Sequence, residues 1–265
     1  MNKITTQSIT LSVSDRAVQY GDGCFTTIAV VNAKAQLCEA HIKRLQHACE
    51  RLYLPFALWQ QLASEIASTA NQLDNGVIKV LISRGSGGRG YDPIPATSPH
   101  YIISTHVLPP HYSQWQQQGI ELELSNISLG KQPLLAGIKH LNRLEQVLIK
   151  RQQVLNQWQD VLVTDTDGMM VETSAANLFW QNNGSWYTPD LHYCGVEGVM
   201  RNKVIEVMKN NGINVLEVRM PVSQLTSASA VFITNSLMNI VPVIQFQQTS
   251  FAIDAVKLVQ HWLSE

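Results

Sequence analysis

The sequence predicts an α+β protein in two domains, residues 1–108 and 119–265, joined by a connection over 109–118. Three observations carry this reading. Two helix-spaced segments are followed by short β-branched runs within the first hundred residues. Further on, DVLVTDTDGMMVET and NLFWQNNGSWYTP each contain two strand-like runs around Asp-Gly or Asn-Gly, the turn dipeptides of antiparallel hairpins. The stretch LPPHYSQWQQQG, with its Pro-Pro pair, polar filler and closing glycine, separates the two groups of elements.

In chain order, Ile42, Leu45, Ala48, Cys49 and Leu52 recur at helical spacing, and Leu58, Leu62 and Ile66 repeat the pattern in a second helix. GVIKVLIS and HYIISTHVL are bounded by Gly or Pro and read as strands. After the connection come a strand (IELELSNIS) and the segment GIKHLNRLEQVLIK, read as the start of a long amphipathic helix with Leu141, Leu144, Leu148 and Leu155 on one face. The two hairpins follow. EGVMRNKVIEVMKNNG reads as a helix stopped by Gly212. INVLEVRM, AVFITNS and IVPVIQF read as strands, and a helix from Ile253 to Leu263 ends the chain.

Composition removes several function classes. Of 265 residues, 45% are apolar and 15% charged, as in ordinary globular proteins, and the net charge of −1 offers no bulk attraction to nucleic acid or an anionic membrane. Cys24, Cys38, Cys49 and Cys194 form no CxxC pair and have no clustered histidines, so neither a metal site nor a disulfide framework is expected. Without an apolar leader in MNKITTQSITLSVSDR, or a run approaching ~18 apolar residues, the expectation is a cytoplasmic protein.

Among candidate motifs, Gly85, Gly87 and Gly90 spell G-x-G-x-x-G after a strand. The prolines of YDPIPATSP forbid the helix that dinucleotide binding needs, so this reads as a loop beside a site. There is no phosphate-loop lysine motif, no G-x-S-x-G elbow and no H-E-x-x-H pair. Lys139 is placed where a helix was expected to begin, and there dipole and burial would both oppose its ammonium form. A neutral amine is the nucleophile of Schiff-base chemistry. Taken alone, the residues favour an exposed lysine, since lysine is mostly at surfaces. Glu172 closes the run MMVE before the small residues TSAAN, where an ordinary strand-end acid and a carboxylate for a pyridine nitrogen both fit. The glycine-bearing entry GVEGVMR offers the amides of Val199 and Met200 to an anion. Asn235 and Ser236 lie in a second turn, and Arg44 is a planar donor suited to phosphate.

SDRAVQYGDGCFTT, HIKRLQ, GIKHLNRLEQ, VETSAANLFW, GVEGVMR and ITNSLMNIVPV occur in the order found in fold-type IV, branched-chain aminotransferase-like pyridoxal phosphate enzymes, and from about residue 10 to 245 the chain resembles that family. The resemblance implies a small α/β N-terminal domain, a larger, mostly antiparallel C-terminal domain carrying the cofactor lysine, pyridoxal 5'-phosphate held between them, and a homodimer. By the same resemblance Lys139 would form the Schiff base, Glu172 would pair with the pyridine nitrogen, and Arg44 would bind the phosphate with the amides of Val199 and Met200 and with Ser236 or Asn235. Within the family the chain is most similar to the lyases of folate synthesis that split 4-amino-4-deoxychorismate into 4-aminobenzoate and pyruvate. There Lys139 would remove the ring proton and Thr27 would help protonate the leaving enolpyruvyl group. Arg89, Arg16, His106 and Tyr112 are candidates for the substrate carboxylates. An aminotransferase for branched-chain or D-amino acids and, less so, a cofactor-binding protein without turnover are the alternatives.

Overall fold

The computed structural model describes residues 10–94 and 98–264. The first nine residues, read above for a leader, and residues 95–97 of the proline-bearing stretch lie outside the described residues. The chain divides into two compact units, residues 1–109 with 138–142, and residues 110–137 with 143–265.

In the first unit a short helix α1 (Arg16–Tyr20) precedes β1 (Gly23–Val31) and β2 (Lys34–Ala35). Helices α2 (Cys38–Arg51) and α3 (Trp59–Leu73) follow, then β3 (Gly76–Ser83) and β4 (His100–His106). The antiparallel sheet runs β2-β1-β3-β4. Both helices bury one stripe, His41, Leu45, Ala48 and Cys49 from α2 and Leu62, Ile66 and Ala70 from α3, at the spacing a single helix face requires. They meet Cys24, Ile28, Ile78, Val80 and Ile82 of the sheet in one core. Each fully buried aliphatic side chain there contributes about 1.5–3 kcal/mol.

Arg16, Asp22 and Arg84 tie the glycine-rich loop to this unit. Arg16 Nε and Arg84 Nε both donate to Asp22 Oδ2, at 2.8 and 2.7 Å. Arg16 also donates to the carbonyls of Gly90, Tyr91 and Asp92, and Arg84 to those of Leu52 and Tyr53. Burial works to raise the Asp22 pKa, but the hydrogen bonds from Arg84 and Arg16 outweigh it and hold the carboxyl below its ordinary 3.8. Asp22 therefore stabilises the fold fully above about pH 4, and that contribution is lost as pH falls through the lowered value. Asp22→Asn should cost about 3 kcal/mol at pH 7, because two half-satisfied guanidinium groups remain. In urea unfolding at several pH values, the gap between variant and parent should close in acid.

The second unit opens with α4 (Tyr112–Gln118) and β5 (Ile120–Leu124), then α5 (Leu144–Leu155). Two hairpins follow, β6 (Asp160–Thr164) with β7 (Met170–Thr173), and β8 (Asn177–Asn182) with β9 (Ser185–Pro189). Helix α6 (Val199–Asn210) leads into β10 (Val215–Val218), β11 (Ala230–Asn235), β12 (Asn239–Phe246), β13 (Thr249–Ser250) and α7 (Asp254–Ser264). The sheet order is β10-β9-β8-β11-β12-β5-β6-β7, with β13 on β12. The pairs β10–β9, β12–β5 and β5–β6 are parallel and the others antiparallel, so the sheet is mixed with an antiparallel majority. One core cluster holds Trp180, Phe246 and Val243, and the alternate residues Phe179 and Phe232, also fully buried, stack on each other at 4.7 Å.

Two expectations change and a third is sharpened. Residues 112–118, read as connection, form α4, because Tyr112 and Trp115 lie three apart and pack on the second unit's core. Lys139 is not in the first turn of a helix. Its carbonyl and the N–H of Leu141 bond sideways to β1, so the backbone is extended there and α5 begins only at Leu144. Finally, the leucine stripe of α5 faces outward: Leu144, Leu148 and Leu155 are 79%, 52% and 64% exposed, and Ile149 and Gln153 are the residues α5 buries.

Candidate active site

In the first unit, the period-2 alternation of β1 divides its side chains. Cys24, Thr26 and Ile28 are fully buried beneath the helices, whereas Phe25 and Thr27, half-buried, belong to the opposite face. The β1–β3 register sets Thr27 opposite Lys79 and Phe25 opposite Leu81. The segment Ile138–Asn142 lies along the same strand. Phe25 N–H donates to the Lys139 carbonyl at 2.9 Å, Leu141 N–H donates to Gly23 O at 3.1 Å, and Cys24 bridges His140. Ile138, 2% exposed, anchors the segment in the core.

The consequence is a ring with two amines on it. Lys139 Nζ lies 4.7 Å and Lys79 Nζ 5.0 Å from the Phe25 ring centroid, within cation–π range. Sequence reasoning missed Lys79, although a lone charge inside the apolar strand GVIKVLIS was a visible signal. Lys139 stands on extended backbone, so no helix dipole acts on its amine; the Phe25 ring fixes where the amine lies. Arg44 donates through Nη2 to Thr26 Oγ1.

The remaining first-unit candidates are arranged differently. Arg16, 4% exposed, has Nε, Nη1 and Nη2 engaged in the loop contacts described above. It serves the loop that carries Arg89, which is itself exposed. His106 ends β4, exposed, with its Nε2 3.0 Å from Ser104 Oγ.

In the second unit, Glu172 is paired with Val163 across the β6–β7 hairpin and is 6% exposed. Its Oε2 accepts from Val196 N–H at 2.9 Å. Arg143, at the entry to α5, is a second residue that sequence reasoning missed. Burial pushes its pKa down, and the charges of Glu172 and Glu145 act against that shift.

Helix α6 begins at Gly198, whose extended backbone carries no side-chain cap, and its first turn contains no acid. The N–H groups of the first turn are thus left to an anion, and Val199 and Met200 are buried beside it. A Cβ on residue 198 would lie 2.1 Å from Asn177 Oδ1, so any larger residue at this entry must displace the Asn177 side chain, whose Nδ2 donates to the Val196 carbonyl. Asn235 is engaged in its own turn: Oδ1 accepts from Leu237 and Met238 N–H at 2.9 Å each, and Nδ2 donates to the Ala175 carbonyl. Ser236 is half-buried in that turn. Tyr112 packs among His111 and Trp115, and its hydroxyl pKa is raised by burial and by Asp160 against a hydrogen bond with Asn235.

These residues fit pyridoxal phosphate in kind. One unit has an amine on an aromatic ring and an arginine; the other has a buried carboxylate and an uncapped helix entry. Among the described residues no group of His, Cys, Asp and Glu could hold a metal ion.

The comparisons agree with that chemistry. The amino-transferase class IV family matches residues 23–246. An aminodeoxychorismate lyase of Vibrio harveyi is 38% identical over 231 residues, covering 87% of this chain and 85% of that protein. The crystal structure of 4-amino-4-deoxychorismate lyase from Pseudomonas aeruginosa superposes with a TM-score of 0.92 at 35% identity, covering 97% of this chain and 95% of that one. A D-alanine aminotransferase of Bacillus licheniformis is 25% identical over 88% of this chain and 82% of its own length. The chain therefore belongs to the class IV aminotransferase family and is a pyridoxal phosphate-dependent enzyme of fold-type IV.

Proposed function

We propose that the protein is a lyase that converts 4-amino-4-deoxychorismate to 4-aminobenzoate and pyruvate, supplying 4-aminobenzoate for folate synthesis in the cytoplasm. The observation that carries the reading is the pair of amines on Phe25 beside Thr27. Lys139 is the amine for the cofactor. Lys79 is a second cation on the same face, suited to a substrate with two carboxylates and out of place against the aliphatic side chain of a branched-chain amino acid.

When bound, pyridoxal phosphate condenses with a primary amine, and its ring draws electrons from the neighbouring carbon. Arg44, the amides of Val199 and Met200, and Ser236 would hold the phosphate; Asn235 shapes the turn that carries Ser236. Glu172 keeps the ring nitrogen protonated. With cofactor and substrate bound, Lys139 Nζ would remove the proton from the ring carbon that bears the amine. The C–O bond to the enolpyruvyl group then breaks, and Thr27 Oγ1 delivers a proton to the leaving methylene, giving pyruvate. Aromatisation drives the elimination forward. Lys79, with Arg89 and His106 as further candidates, holds substrate carboxylate.

The test is direct. The purified protein should release 4-aminobenzoate and pyruvate in equal amounts from 4-amino-4-deoxychorismate. Lys79→Met should lower kcat/KM by about 10²-fold, the cost of a buried charge-assisted contact, and leave the cofactor absorbance intact. Efficient amino transfer from D-alanine to 2-oxoglutarate without aromatic product would replace this reading with an aminotransferase.

We further infer a homodimer. Leu144, Val147, Leu148, Val154 and Leu155 form one exposed apolar stripe along α5, the kind of face a second copy covers. Light scattering should give twice the chain mass, and Leu148→Glu should shift it to the single-chain value. No helix of the described residues is long and apolar enough to cross a membrane.

A further inference from the structure

Beneath the helices of the first unit lies a polar cluster that the proposed reaction does not use directly. The inward row of β1 is Cys24, Thr26, Ile28 and Val30, all at most 2% exposed, so Thr26 places a hydroxyl in an otherwise apolar layer. His41, 1% exposed, and Arg44 are three residues apart on α2 and so share a face. Thr26 Oγ1 is 2.6 Å from His41 Nδ1, and the same oxygen accepts from Arg44 Nη2. A guanidinium has donors only, which fixes the direction of that last bond.

Two features argue that this is more than core filling. His41 Nε2 is buried and makes no hydrogen bond among the described residues. An unpartnered buried polar atom costs about 1–3 kcal/mol, which an aliphatic residue in the same space would avoid. The imidazole is also neutral: burial, and then the charge of Arg44, push its pKa down to about 3. A neutral ring can hold the hydroxyl without competing for the guanidinium charge. An aspartate or glutamate in its place would cancel that charge and weaken the arginine toward any external anion.

We propose that His41 and Thr26 are positioning residues for Arg44, bracing one nitrogen of its guanidinium so that the rest of the fork is presented, at full charge, to a phosphate monoester. The inference rests on the assignment of the cofactor phosphate to Arg44. Its physical content is preorganisation: a long flexible side chain already held in its binding geometry gives up less freedom when the anion arrives.

The experiment compares two ligands, pyridoxal phosphate and pyridoxal, by absorbance titration of the full-length protein stripped of cofactor. Thr26→Val keeps the side-chain volume and removes the hydroxyl. It should cut the preference for pyridoxal phosphate over pyridoxal about tenfold, the scale of one charge-assisted hydrogen bond, with pyridoxal affinity unchanged. His41→Leu should do the same, Thr26→Ser should retain the parent preference, and the double variant should be no worse than either single one, as expected of a coupled unit. A purely structural role would weaken both ligands equally and leave the preference intact, which overturns the proposal. Arg44→Gln separates the two readings. If it abolishes the preference while Thr26→Val leaves it intact, Arg44 binds phosphate without a brace. If Arg44→Gln itself leaves the preference intact, the phosphate assignment fails and the brace fails with it. Should His41→Leu not fold, Thr26→Val carries the test alone.

Discussion

Lys139→Ala should lower turnover by at least about 10⁴-fold, since general-base help alone is worth 10²–10⁴ and the covalent anchor of the cofactor is lost with it. The geometry makes the loss specific. Lys139 Nζ sits 4.7 Å from the centre of the Phe25 ring, on backbone fixed to β1 through the Phe25 and Leu141 hydrogen bonds. No other residue of the segment GIKHLNR occupies that place. Lys79 lies 5.0 Å from the same ring but is fixed by the register of β3 opposite Thr27, so it does not take over the proton transfer. Two measurements check this. The visible absorbance band of the holoenzyme should disappear in the variant, and borohydride should no longer attach the cofactor to the chain. If the variant still becomes covalently labelled on reduction, the amine lies elsewhere, and Lys79 is the residue to replace next. Lys79→Met, by contrast, should keep both spectral signatures.

Much of this was legible in the sequence because the signals were local. The Asp-Gly and Asn-Gly turns placed both hairpins, helical spacing placed α2 and α3, and the Gly212 stop helped place α6. What escaped was tertiary. Lys139 was placed at a helix start because the apolar period of α5 runs back through Leu141; the sideways bonds to β1 that keep Lys139 and His140 out of the helix have no local signature. The stripe of α5 was legible as one apolar face, but periodicity does not say which neighbour covers it. Arg16 was offered as a substrate ligand because an arginine near a glycine-bearing turn is ambiguous until Asp22 and the carbonyls of residues 90–92 are seen around it. Lys79 and His41 were overlooked for the opposite reason. Each sits in a segment whose apolar pattern explained the element well enough, and only register and packing show what the polar side chain faces.

The second large effect is expected at a residue with no side chain. Gly23 opens β1 opposite Ser83, and its carbonyl receives the Leu141 N–H that fixes the Lys139 segment. A Cβ there would lie 2.1 Å from the Ile82 carbonyl oxygen and 2.9 Å from Leu141 Cδ1. The first contact is with backbone, so no rotamer relieves it, and strand β3 or the Lys139 segment must move. Gly23→Ala should destabilise the protein by about 2–4 kcal/mol, an overpacking cost at a site that cannot relax. At this chain length that corresponds to roughly 5–15 °C in Tm. Where the variant is still folded, kcat should fall about 10²-fold, because displacing the amine by ~1 Å is enough to spoil a proton transfer. Gly212→Ala is the control. Gly212 has a positive φ, of 79°, which Gly23 does not, but a Cβ there meets nothing within 4 Å, so only the backbone strain of about 1 kcal/mol should appear, with kcat unchanged. If Gly23→Ala lowers Tm while kcat stays at the parent value, the coupling of β1 to the Lys139 segment does not position the amine. If both fall together and Gly212→Ala moves only Tm, the close approach at Gly23 is part of how the chain holds its reactive lysine.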